Sequence, residues 1–427
     1  PSCMKAADVN NDGNVNLTDS IFLLNFLFQG GTIPDAPNLD TGPGFEVGGL
    51  ACITDDPVLV ETRPNDGGDL AMGLGFSCAI VTAMPPAAGA AVIGPVACWG
   101  ANDQGQLGVG DLIGREIPTL VAEGFVARQV VAGDAFACAL VDDGEDAGGI
   151  RCWGDGNDGA LGFGQGNDKV RPFDPVFGFD VSTPAIDIAA GARHACAIRE
   201  TAGGNQLRCW GYGEHGRLGF SADGAALPGL VDLGDLQPVD VTAGDQHTCV
   251  AMDNGDVYCF GNNDFFQLDN DVAGGPTPRR IDFLDGGVDE PVVLDAGAYH
   301  TCALGRTGTR ECWGDFLDDT EDLVASISNG GVEFDGYACF TTFDDEILCD
   351  NNTAFAPFDA TTLPPRPRTM ALGPTHGCAI YDAPVTCPGD DEDSTLCCFG
   401  TNDDGELGNE RRPQPSLQGV AVHLPVL

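Results

Sequence analysis

The residues whose types and spacing best suit chemistry stand near the start of the chain, at Asp8, Asn10, Asp12, Asn14, Asn16 and Asp19. Oxygen side chains at loop positions 1, 3, 5, 9 and 12, Gly13 at position 6 for the sharp turn and the carbonyl of Asn14 at position 7 form the shell of a hard cation. Calcium is the expected cofactor. The competing account, a solvated Asx-rich turn, would not keep the glycine in phase with the donors. A second set joins histidine to cysteine: His194, His247, His300 and His376 stand two residues before Cys196, Cys249, Cys302 and Cys378. A cysteine nucleophile needs a free thiolate beside its base, and each of these cysteines has a partner further along its own unit. The four histidines are therefore expected to be structural, bonded to local backbone. No Gly-x-Ser-x-Gly, no Gly-Lys-Ser/Thr phosphate loop and no His-Glu-x-x-His occurs.

What positions the histidines and cysteines is a unit written seven times. It is clearest at Ala243-Gly244-Asp245-Gln246-His247-Thr248-Cys249, running on to Tyr258-Cys259-Phe260-Gly261. If Cys249 faces Cys259 in an antiparallel pair, Met252 faces Asp256 and Asp253-Asn254-Gly255 is the turn, which suits residues that tolerate positive φ. All four tryptophans, Trp99, Trp153, Trp210 and Trp313, follow the second cysteine of a unit. The first cysteines fall at Cys78, Cys138, Cys196, Cys249, Cys302, Cys339 and Cys378, a period that fits one four-stranded blade and shortens in the last two copies. The expected fold is mainly β, a seven-bladed β-propeller with a small N-terminal calcium-loop-plus-helix module.

The run Cys98-Trp99-Gly100-Ala101-Asn102-Asp103-Gln104-Gly105-Gln106-Leu107-Gly108 resembles the signature of the regulator of chromosome condensation repeat family. So do the runs from Trp210 to Gly219 and from Phe399 to Gly408. The resemblance spans about residues 69–427 and implies a seven-bladed β-propeller. It says little of function, because that scaffold serves nucleotide exchange, chromatin binding, enzyme inhibition and plain scaffolding. The chain departs from the pattern at Leu268-Asp269, Asp315-Phe316-Leu317 and Asp350-Asn351-Asn352. The loop at 8–19, closed by Asp19 and leading straight into a helix, resembles the dockerin type of EF-hand-like calcium loop. A dockerin carries two such loops, and this chain carries one.

Composition narrows the partners. There are 65 acidic against 19 basic residues, a formal net charge of -46, and the only lysines are Lys5 and Lys169. Phosphate binding needs clustered Lys and Arg, so nucleic acid is excluded as a partner, and an anionic membrane surface is disfavoured for the same reason. No apolar run is long enough to span a bilayer. Eighteen cysteines without one Cys-x-x-Cys pair argue for an oxidising, extracellular or cell-surface setting. The expected bridges within units are Cys78–Cys98, Cys138–Cys152, Cys196–Cys209, Cys249–Cys259, Cys302–Cys312, Cys339–Cys349 and Cys378–Cys398. Cys387–Cys397 is nested inside the seventh, and Cys3–Cys52 clips the N-terminal segment. A start at Pro1-Ser2-Cys3 fits a chain exported by a signal sequence since removed.

Three regions are expected: the calcium loop and apolar helix at 1–31, an irregular connector at 32–68, and the propeller at 69–427. The helix is apolar all round except at Asn25, so Ile21, Phe22, Leu24, Phe26 and Phe28 must be covered, by this chain's own propeller or by another subunit as an assembly contact. The β-rich tail from Ser416 is expected to close the first blade to the last. Acidic runs at 142–146, 318–322 and 390–393 read as solvated loops, and Asn351 is the better of two glycosylation sequons. The function these features favour is a secreted, non-enzymatic structural or adhesive protein, stabilised by calcium and disulfides. Its partner would be itself, as an extracellular fibre, or another extracellular protein. A soluble binding or inhibitor propeller, with Phe265, Phe266 and Tyr212 as visible aromatics, is the alternative. A polysaccharide-active enzyme is the third reading, since paired carboxylates among so many acids could meet in space.

Overall fold

The computed structural model describes residues 68–424 apart from 83–90, 123, 165–167, 173, 222, 269–272, 283–290, 316–323, 333–334, 343–345, 352–362, 366, 389–392 and 410–415. The calcium loop, the apolar helix, the connector up to residue 67 and Cys3–Cys52 lie outside the described residues. Everything described falls in the second of two units, Leu59–Leu427.

Each blade is one contiguous stretch of chain. The first holds β1 (Leu70–Gly73), β2 (Phe76–Ile80), β3 (Val96–Gly100) and β4 (Arg115–Leu120); the second holds β5 (Ala127–Ala132), β6 (Phe136–Val141) and β7 (Ile150–Gly154). The third runs through β8 (Ala185–Ala190), β9 (His194–Arg199), β10 (Gln206–Tyr212) and β11 (Gly224–Leu230). The fourth runs through β12 (Pro238–Ala243), β13 (His247–Met252), β14 (Val257–Gly261) and β15 (Gly275–Arg280). The fifth has β16 (Pro291–Ala296), β17 (His300–Gly305) and β18 (Arg310–Gly314), and the sixth has β19 (Val324–Val332), β20 (Asp335–Thr342) and β21 (Ile347–Asn351). The seventh has β22 (Thr369–Leu372), β23 (His376–Thr386), β24 (Asp393–Gly400) and β25 (Ser416–Val422). All pairings within blades are antiparallel.

The innermost strands touch in sequence, β1 to β5, β8, β12, β16, β19, β22 and back to β1, so the seven blades close a ring. Closure demands small residues at the hub. A Cβ added to Gly73, Gly133, Gly191 or Gly244 would stand 2.6, 2.6, 2.1 or 2.5 Å from the carbonyl oxygen of the next blade's glycine, Gly133, Gly191, Gly244 or Gly297. The second strands sit between neighbouring blades, and β2, β6, β13 and β17 are buried at every position. Their residues are apolar apart from Ser77, His247, Thr248, His300 and Thr301, which are buried as well, while the outer strand β15 mixes exposed and half-buried positions.

The hairpin register agrees with the arithmetic on the sequence. Cys249 pairs with Cys259, and the Met252 N–H donates to Asp256 O at 2.9 Å across the turn. The tail does not behave as expected. Instead of closing the first blade, β25 pairs with β24 as the outer strand of the seventh blade, and the first blade draws all four strands from residues 70–120. Every blade being locally complete, the ring closes through side chains: Arg368 donates to Asp69 at 2.6 Å with side chains only 10% and 1% exposed.

Candidate protein-binding face

The loops joining third to fourth strands share one end of the ring with the turns joining first to second strands. In the first blade the Leu107 N–H donates to Asn102 Oδ1 at 3.0 Å, and the same bond joins Leu407 to Asn402 at 3.0 Å and Leu268 to Asn263 at 2.7 Å. The asparagine folds the loop back so that the leucine drops into the core; Leu107, Leu268 and Leu407 have no exposed surface. The indole Nε1–H of Trp99 donates to Glu406 O, Trp153 to Gln106 O, Trp210 to Ala160 O and Trp313 to Gln267 O, at 2.8, 2.8, 2.8 and 3.0 Å. Each bond crosses to the preceding blade. The glycine after the leucine explains itself by the same contact: a Cβ on Gly108 would lie 2.8 Å from the Trp153 ring, at a φ of +65°.

A second bond crosses each polar seam. His194 Nε2 lies 2.9 Å from Thr248 Oγ1, His247 Nε2 2.7 Å from Thr301 Oγ1, and His376 Nε2 2.7 Å from Ser77 Oγ. The Thr248 and Ser77 hydroxyls donate to Arg217 O at 2.9 Å and Glu406 O at 3.0 Å, so His194 and His376 carry their proton on Nε2. Burial holds these imidazoles neutral, pulling His247 down to about 3, His376 to about 4 and His194 well below the ordinary value. Where phenylalanine replaces histidine, at Phe76 and Phe136, the facing residue of the next blade is Ala137 or Ala195.

At the hub a cavity of about 270 Å³ is lined by the inner strands. Two of its carboxylates bond the backbone of the neighbouring blade: the Val241 N–H donates to Asp187 at 2.9 Å and the Leu294 N–H to Asp240 at 2.7 Å. Burial raises Asp187 to about 6 despite its bonds to Gln129 and Val241.

On the loop end, blades three to five interlock. Arg193 and Arg217 sit over the Tyr212 ring at 4.3 and 5.0 Å; Arg193 also pairs with Asp158, and Arg217 donates to Glu214 O at 3.0 Å and Asp245 O at 2.6 Å. A hydrogen bond with Glu214 raises the Tyr212 phenol above its ordinary value. Asn262 donates to Gln246 at 2.8 Å, Gln246 donates to Tyr299 Oη at 3.3 Å, and the Tyr299 ring stacks on Phe265 at 4.7 Å. Tyr299 is itself buried, so that half-buried Phe265 and Tyr212 are the aromatics of this network that remain partly open at the loop end.

Asn-anchored loops, a buried leucine and a glycine under the next blade's tryptophan recur around the seven blades. The chain carries regulator of chromosome condensation repeats. The profile described as "Regulator of chromosome condensation (RCC1) repeat" matches residues 94–140, 148–198 and 254–304, and a second profile of that description matches 127–160, 185–217 and 239–267. The chain is 32% identical over 237 residues to the human E3 ubiquitin-protein ligase HERC2, covering 52% of this chain and 5% of that protein. It is 28% identical over 222 residues to the ultraviolet-B receptor UVR8 of Arabidopsis thaliana, covering 51% and 48%. In both cases the chain covers less than half of the relative's length. Among solved structures, human WBSCR16 (TM-score 0.50, 19% identity, 83% and 82% covered) shares the fold. The CRINKLY ectodomain of the Arabidopsis thaliana receptor kinase ACR4 (TM-score 0.50, 17% identity, 84% and 99% covered) shares it too.

Within these repeats the structure joins Cys78–Cys98, Cys138–Cys152, Cys196–Cys209, Cys249–Cys259, Cys302–Cys312, Cys339–Cys349 and Cys378–Cys398 across second and third strands, with Cα atoms 4.0–4.1 Å apart. Cys387–Cys397 forms the eighth bridge. His194, His247 and His376 do not bond local backbone as expected. Three of them reach hydroxyls of the next repeat, because the slot two residues before the first cysteine faces across the seam. Sequence reasoning missed Thr248, Thr301 and Ser77, although each stands immediately before a first cysteine. The calcium ligands from Asp8 to Asp19 and the apolar positions from Ile21 to Phe28 lie outside the described residues, as does the side chain of Asn351. Among the described residues no group of three His, Cys, Asp or Glu is placed to hold a metal, and no helix is long and apolar enough to cross a membrane.

Proposed function

We propose that this chain is an extracellular, non-enzymatic propeller that holds protein partners on its loop face. The observation that carries the reading is the interlocking of blades three to five. Arg193 and Arg217 over the Tyr212 ring, and buried Tyr299 beneath Phe265, hold these two half-buried aromatics in advance of contact, which lowers the entropy cost of binding. The eight bridges support an oxidising setting, since a reducing cytosol would not keep them. The ligase activity of HERC2 belongs to a protein of which this chain covers 5%, and it is not carried over. Crosslinking the purified chain to extracellular fractions of its source, followed by mass identification, tests the reading. A stoichiometric protein partner supports it, and turnover of a polysaccharide without any partner rejects it.

A second reading rests on the sequence at 8–28. Calcium held by Asp8, Asn10, Asp12, Asn14, Asn16 and Asp19 would order the apolar helix, whose covered face would join copies into a fibre. Negative-stain images with calcium and with chelator decide this; single particles in both remove the fibre.

A further inference from the structure

We infer that Phe266 is the anchor of the loop face, and that the partner it takes is a protein segment carrying Lys or Arg beside an apolar side chain. The inference rests on the binding-propeller reading and assigns its site. Six residues after the tryptophan slot, the first, second, third and seventh blades carry Gly105, Gly159, Gly216 and Gly405, at φ of +83°, +80°, +81° and +87°. In the fourth blade this position is Phe266, at φ +64°. A bulky aromatic in the left-handed region is strained, whereas glycine adopts it freely.

Folding gains little in return, because the ring stays 53% exposed. Its neighbour Gln267 adds a second local cost, a fully buried side chain whose Nε2 finds no acceptor among the described residues. A strained backbone, an exposed ring and an unmatched donor in consecutive residues are a poor solution for stability. They are a good one for presenting an aromatic to a partner.

Charge fixes the partner's chemistry. Arg193 and Arg217 at this end are already engaged, Arg193 with Asp158 and Arg217 with the carbonyls of Glu214 and Asp245. Glu214 is exposed beside Arg217 and Asp264 is exposed two residues before Phe266, on a chain of net charge -46. An exposed carboxylate two residues from an aromatic anchor, on a strongly acidic chain, selects a basic segment with an apolar side chain at its centre.

The test is selection of a random twelve-residue displayed-peptide library on the intact chain, with recovered peptides titrated against wild type and Phe266→Gly. Expected are peptides in which Lys or Arg flank an apolar residue, whose affinity falls at least tenfold both in Phe266→Gly and between 50 and 500 mM NaCl, with a thermal midpoint for the variant equal to or above wild type. Neutral or acidic consensus peptides, or peptides that bind both proteins alike, overturn this site and leave a binding propeller standing. A lowered midpoint for Phe266→Gly makes the ring a packing residue and also overturns it. A library that yields no binder to any face overturns both readings.

Discussion

His376 Nε2 lies 2.7 Å from Ser77 Oγ, a bond between residues 299 positions apart that ties the last blade to the first. The Ser77 hydroxyl in turn donates a hydrogen bond to Glu406 O at 3.0 Å, so the seam is a chain of two hydrogen bonds between fully buried side chains.

Ser77→Ala leaves the buried Nε2–H of His376 without an acceptor. The expected loss is about 1–3 kcal/mol, read as a lowered thermal midpoint. Thr248→Ala should cost a similar amount at the seam between blades three and four. An unchanged midpoint in both would remove the seam from the account.

Acid should loosen the ring at these seams. An imidazole that titrates near 6.5 when unfolded is held at about 3 for His247 and about 4 for His376, so below pH 6.5 the unfolded chain binds more protons. Stability that is full above pH 6.5 should fall as pH drops toward 3–4. The double substitution His376→Phe with Ser77→Ala copies the apolar seams at Phe76 with Ala137 and Phe136 with Ala195. It should recover much of the stability lost by Ser77→Ala alone and flatten part of the acid slope, measured by denaturant unfolding between pH 4 and 8.

Removal of Arg368 should be the most damaging single change at the closure. Arg368→Met leaves the Asp69 carboxylate buried without its cation, a loss of about 3–5 kcal/mol by the usual cost of breaking a buried pair. Chemical denaturation reads it, and an effect under 1 kcal/mol would show that the pair is not needed for closure.

Peptide mapping without reductant should recover the eight crosslinks of the described residues, seven joining second to third strands, together with the Cys3–Cys52 bridge expected from the sequence. Each short loop so closed contributes about 3 kcal/mol through the unfolded chain, so reductant should lower the thermal midpoint by tens of degrees. Free thiols, or crosslinks between blades, would contradict the arrangement.

Calcium titration of the whole chain should show one site, lost in Asp8→Ala and in Asp12→Ala. Calorimetry that detects no heat with calcium would reject the loop at 8–19 as a metal site.

The sequence by itself settled whatever is local and repeated. The facing of Cys249 and Cys259, the turn at Asp253-Asn254-Gly255 and the seven copies marked by cysteine and tryptophan follow from strand alternation within one hairpin. The period of the copies then requires a ring. Only the tertiary structure decided what one blade does to the next: that His194 reaches Thr248 rather than its own backbone, that Trp99 reaches Glu406, and that β25 completes the seventh blade instead of the first. Such partners stand one blade or a whole ring apart in the chain, and their identity depends on how the blades are inclined around the hub, a global property that no stretch of residues encodes alone. The same holds for Phe266: its letter is visible in the sequence, but its left-handed backbone and open ring exist only once the loop is pinned by Asn263 and Leu268.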